Sequence, residues 1–282
     1  MRSEGLTAWG LLLPLLLASG CGRRHDEGDV RSAEDSLIDD GIEIEQQDDD
    51  LEAGIEEPLS GALPVDPALG PDSTALEATL MTKVRSNPGL FFQPAGCITT
   101  TVVGNVATHV FDNCAGPYGL RTFTGTVTST WSSETTGLLV KHQSTGFRIN
   151  GSSLSGWITV TYSRNDGVIV KSRHASWTGT TAAGVAFGRM FDDEGSYDIA
   201  ARCIARSGMS TASLGQRLLA TSITSFKRCG VGALGCPQGG FITLWRPSAP
   251  DVGLLFAFPG GGKVEITGPQ GRKFTRTLRC RA

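Results

Sequence analysis

Residues 121–131 alternate strictly: Phe123, Gly125, Val127, Ser129 and Trp131 fall on one parity, and threonines at 122, 124, 126, 128 and 130 on the other. Side chains of a strand point to opposite faces in turn, so the pattern predicts a half-buried antiparallel strand with a dry face and a threonine-lined wet face. From residue 90 onward one such segment follows another. They are separated by turn signals at Gly104-Asn105, Asn150-Gly151, Asn165-Asp166-Gly167, Gly260-Gly261-Gly262 and Pro269-Gln270-Gly271. The spacing predicts an all-β domain over residues 89–282, an antiparallel meander of about a dozen strands forming a curled sheet, an open barrel or a sandwich. Residues 72–88 precede it. Asp72-Ser73-Thr74 resembles a helix start, Lys83 and Arg85 suit a last turn, and Asn87-Pro88-Gly89 ends the segment, so one short N-terminal helix is expected there.

An internal repeat organises the strands. Residues 123–131 align with 154–162, Gly125 with Gly156, and each copy is followed by a turn and a similar segment, 137–141 and 167–171. The repeat is read as one hairpin per copy, with the recurring glycine marking a bend. Setting Ser129 opposite Val140 places Thr128 against Lys141 and Thr126 against Gln143; setting Tyr162 opposite Val170 places Thr159 against Arg173. On that register Thr126, Thr128, Lys141, Gln143, Thr159, Lys171 and Arg173 form one wet, cationic face. His142 and His174 fall on the dry face as core histidines. The last strand is expected to bury Phe274, Leu278 and Cys280.

Charge divides the chain in two. Residues 22–58 carry 15 acids against Arg23, Arg24 and Arg31, a net of −12, whereas residues 59–282 carry 21 basic and 12 acidic side chains, a net of +9. Residues 21–71, acidic and then proline-punctuated, are expected to be a disordered tether, about 40 Å in root-mean-square reach. At low ionic strength such a segment is expected to fold back on the basic domain and compete with an anionic partner.

Residues 1–20 read as a signal peptide, with Arg2 before an apolar run too short to span a bilayer. The junction Leu17-Ala18-Ser19-Gly20-Cys21 resembles the lipobox of bacterial lipoproteins. The resemblance covers this N-terminal segment alone. It implies lipidation of Cys21 and, with Gly22 following, delivery to the outer membrane; several acyl chains on one residue anchor stably.

Six further cysteines in an exported chain predict three disulfides. Cys97–Cys114 flank a hairpin, Cys229–Cys236 flank a short glycine-containing loop, and Cys203–Cys280 remain. No cysteine pair has metal-ligand spacing, and the acidic run Asp192-Asp193-Glu194, with Asp198, reads as a polar turn, so neither a metal nor a cofactor is expected. No nucleophile elbow, S-x-x-K or H-E-x-x-H motif occurs. The function expected is therefore that of an outer-membrane-anchored lipoprotein, a non-enzymatic binding or structural module for an anionic envelope polymer or glycan, without nucleic acid as a partner. A carrier of a lipid or other apolar ligand in a curled sheet is the alternative. A secreted hydrolase, needing an exposed serine, histidine and acid together, is the second.

Overall fold

The computed structural model describes residues 92–278, except 117–120, 135–136, 166–167, 199–200, 202, 230–235 and 269–270. Thirteen strands run β1 (Ile98–Val103), β2 (Val106–Ala115), β3 (Thr122–Glu134), β4 (Gly137–Ile149), β5 (Ser152–Asn165), β6 (Val168–Thr180), β7 (Ala186–Asp198), β8 (Cys203–Leu214), β9 (Arg217–Cys229), β10 (Pro237–Arg246), β11 (Ala249–Gly260), β12 (Lys263–Thr267) and β13 (Lys273–Thr277). They form one antiparallel sheet in sequence order, with β1 and β13 as its unclosed edges. The all-β meander expected from the alternation is therefore the fold. The expected helix at 72–88 lies outside the described residues.

Turn chemistry sets the hairpins. Asn150 and Gly151 both adopt positive φ, 50° and 84°, as a two-residue turn between right-twisted strands requires. The alternation of β4, buried at Leu138, Val140, His142 and Ser144, resumes at Phe147 and Ile149 after two exposed residues, Thr145 and Gly146. That interruption is a β-bulge. β4 gains a residue there against both β3 and β5. The repeated glycines lie beside it. Gly125 falls within the register shift and Gly156 pairs with Ser144, so the expected bend is present. Gly156 also makes room: a Cβ there would lie 2.8 Å from the Cα of Trp177 and 2.9 Å from its ring.

The buried face divides into three clusters. Phe92, Phe111, Phe123, Phe147, Val127, Ile158 and Trp177 belong to the first, Phe226, Ile242, Phe256 and Phe258 to the second, and Ala107, Trp131, Leu138 and Val140 to the third. Phe92, Phe111, Phe123 and Phe147 pack ring against ring at centroid separations of 5.1–6.4 Å, within the range of favourable aromatic pairs.

Two disulfides staple adjacent strands. Cys97–Cys114 joins the start of β1 to β2 as expected, with Cα atoms 5.4 Å apart. The other two expected pairings are corrected. Cys203 bonds Cys229, not Cys280, and Cys229 is therefore not bonded to Cys236. The reason is register: Cys203 and Cys229 lie directly opposite in the β8–β9 ladder, Cα atoms 4.1 Å apart. β13 departs from expectation as well. All five of its residues are exposed, Phe274 included, because it is an edge strand.

Candidate functional site

The β3–β4 ladder pairs Ser129 with His142 and Trp131 with Val140, two residues from the register expected. An even shift preserves the faces. Thr128 lies opposite Gln143, Gln143 opposite Trp157, and Lys141 between Thr130 and Thr159. The β5–β6 ladder is displaced by one: Tyr162 pairs with Lys171, Val160 with Arg173 and Thr159 with His174. An odd shift exchanges the faces. Lys171 and Arg173 are therefore buried, not members of the wet face, while His174 is exposed, not core.

Five of the seven predicted residues thus remain together on the exposed face: Thr126, Thr128, Lys141, Gln143 and Thr159. Trp157, missed in the sequence, joins them. Its indole is half-buried and lies 5.2 Å from the His174 imidazole, ring centre to ring centre. His174 Nδ1 in turn lies 3.6 Å from the exposed carboxylate of Asp192. The result is an indole platform bordered by hydroxyl, amide, imidazole and ammonium groups on one ladder surface. The even positions of β3 and the odd positions of β5 would have revealed it once the register was known.

The buried face holds a second polar group. The acidic run 192–194 is not a turn but the middle of β7, so Asp192 and Glu194 face solvent while Asp193 points inward. Asp193 accepts hydrogen bonds from Arg173 Nε at 2.7 Å and Nη2 at 2.5 Å, and from Arg206 Nε at 2.9 Å and Nη2 at 2.5 Å. Burial alone acts to raise its pKa, but the two guanidinium groups outweigh that effect and hold the carboxyl well below the usual carboxylate range. Gly208 lies opposite. A Cβ there would come within 2.3 Å of the Asp193 Cβ, so glycine is the residue that admits the ion cluster. The Arg173 guanidinium also stacks on Phe191, 5.1 Å from the ring centre.

His142 is in the core as expected, sharing a 2.8 Å hydrogen bond with Ser129 Oγ; His109 shares one of 3.0 Å with Thr100 Oγ1. Burial, with repulsion from His142, pushes His109 down to about 3; burial, with repulsion from Lys171, does the same to His142. Both imidazoles are neutral at physiological pH. The Ser129–His142 pair has nucleophile-and-base chemistry, but both side chains are fully buried, where no substrate reaches. Among the described residues, no cluster of three or more His, Cys, Asp or Glu could hold a metal ion.

No protein-family model, curated protein or solved structure matches the chain.

Proposed function

We propose that the protein is an envelope lipoprotein, acylated at Cys21 and delivered to the outer membrane, whose β-domain is a non-enzymatic binding module for a glycan or anionic polymer. The observation that supports this reading is the exposed ladder surface around Trp157. An aromatic platform flanked by Gln143, Thr128 and Thr159 suits the apolar face and hydroxyl rim of a sugar ring, and Lys141 suits a carboxylate or phosphate on it. The carrier alternative asks for space beside Val127, Trp131 and Ile158, and all three pack within core clusters. The geometry therefore favours the exposed face.

The test is retention of the domain on an immobilised acidic polysaccharide, with neutral dextran as comparison. Trp157→Ala is expected to weaken binding to both about tenfold, equivalent to about 1.4 kcal/mol. Lys141→Glu is expected to weaken only the acidic polymer and to remove most of its salt dependence. Unchanged retention in both variants would refute the reading.

A further inference from the structure

The soft donor groups of the described residues converge on one patch of the exposed face. Residues 92–278 contain the histidines 109, 142 and 174 and the methionines 190 and 209. His109 and His142 are core. His174 and both methionines are exposed, Met190 by 56% and Met209 by 61%. His174 on β6, Asp192 on β7 and Met209 on β8 stand in one ladder row. Met190 lies two residues from Asp192 on β7 and so on the same face, in the row that runs through Ser176 to Trp157.

Apolar side chains scattered singly over a surface need no explanation. These two are not scattered. With neighbouring strands about 4.8 Å apart and alternate residues about 7 Å apart, His174, Met190 and Met209 occupy the corners of a triangle roughly 8–10 Å on a side at their Cα atoms. Unbranched thioether arms with three rotatable bonds can meet an imidazole over the centre of such a triangle. Asp192 stands between His174 and Met209, its carboxylate 3.6 Å from His174 Nδ1. A carboxylate facing one ring nitrogen orients the imidazole and leaves the other nitrogen, Nε2, as the donor to a metal. The Trp157 indole flanks the imidazole at 5.2 Å, and an indole face attracts a cation. Two thioethers with one imidazole are a soft donor set, which suits Cu(I) and not the hard, oxygen-seeking calcium and magnesium ions.

We propose that His174, Met190 and Met209 form a surface site for Cu(I), bound through His174 Nε2 and the two thioether sulfurs, with Asp192 positioning the imidazole and Trp157 walling the site on its β5 side. The proposal is independent of the glycan reading, since it asks nothing of Lys141, Gln143 or the threonines.

Anaerobic competition for Cu(I) against the chromophoric chelator bicinchoninate, with ascorbate as reductant, tests it. The chain carries Cys21→Ala, because a free thiol there would itself take Cu(I). This chain is expected to withdraw a single equivalent of Cu(I) from the chelator. Asp192→Asn should weaken the site roughly tenfold, as loss of a supporting carboxylate does in other metal sites. Met190→Leu, Met209→Leu and His174→Phe should each weaken it by at least that much. The two leucine variants are conservative changes at exposed positions, so their melting midpoints should match that of the parent chain. X-ray absorption of the copper-loaded chain should show two sulfurs and one nitrogen around the metal. A parent chain that withdraws no Cu(I), leucine variants that bind as tightly as the parent, or a copper surrounded by nitrogen and oxygen alone would each overturn the proposal. Zn(II) held as tightly as Cu(I), and unaffected by either leucine variant, would assign the patch to imidazole and carboxylate and overturn it too.

Discussion

Asp193 accepts from two arginines inside the sheet, and its removal takes that carboxylate from both. Asp193→Asn is expected to cost about 3–5 kcal/mol, the range for breaking a buried ion pair by removing one partner. Chemical denaturation at pH 7 measures it. The pH dependence separates this carboxylate from the histidines. A carboxyl held below its unfolded pKa contributes stability that is present above pH ~4 and lost as pH falls further. His109 and His142, lowered from 6.5 to about 3, act earlier. Their stabilising effect is complete above 6.5 and declines from there towards 3, because only the unfolded imidazoles take up protons. The unfolding free energy is therefore expected to fall between pH 6.5 and 4 with a slope of up to about 1.4 kcal/mol per pH unit per histidine, measured by chemical denaturation across that range. His142→Gln should reduce that slope, and Asp193→Asn should leave it while flattening the curve below pH 4.

At the level of elements, the number of turn residues fixes which face a side chain meets. Glu134 pairs with Gly137 and Asn165 with Val168, so each of these hairpins turns over two residues. The second turn places Lys171 inside and His174 outside. Amine labelling of the native protein should modify Lys141 rapidly and leave Lys171 protected until denaturant is added; equal rates would contradict the β5–β6 register. The strands and most turns were legible in the sequence because threonine alternation and Asn-Gly or Gly-Asn dipeptides act locally. The register was not legible, because it depends on turn length and on bulges such as Thr145-Gly146, which reset parity without altering composition. The same limit explains Asp193. An acidic triplet has the composition of a turn, and only the β6 and β8 arginines on either side make its middle member an interior residue. The disulfides follow this rule, the hairpin pair Cys97–Cys114 being local and Cys203–Cys229 depending on the β8–β9 register. Cys236 is also disulfide-bonded. Its Sγ lies beside Gly262, whose carbonyl accepts a 2.7 Å hydrogen bond from the Leu278 amide near the chain end. A non-reducing peptide map is therefore expected to link Cys236 to Cys280, and a Cys229–Cys236 peptide would contradict the structure.

Across the whole molecule, charge and chemistry are segregated along the chain and between the two faces of the sheet. The N-terminal junction resembles a lipobox, the following segment concentrates negative charge, and the sheet concentrates positive charge, with Lys171, Arg173, Arg189 and Arg228 turned inward. The exposed face carries threonines, Gln143, Lys141 and Trp157 beside His174, Asp192 and Glu194, an open surface that on the proposed reading suits many weak contacts with an extended polymer rather than one enclosed ligand. Such contacts gain from being held near their target, since anchoring replaces bulk concentration by an effective local one. On the proposed reading, anchoring at Cys21 would bear on binding as well as on location. Cys21→Ala is expected to abolish palmitate labelling, to move the protein from the membrane pellet to the soluble envelope fraction, and to reduce its co-sedimentation with envelope polymer even though the sheet is unchanged. Adding the purified Cys21→Ala protein back at high concentration should restore co-sedimentation, and Trp157→Ala in the same chain should prevent that rescue. A Cys21→Ala protein that stays in the membrane pellet would show that the lipobox-like junction is not the anchor.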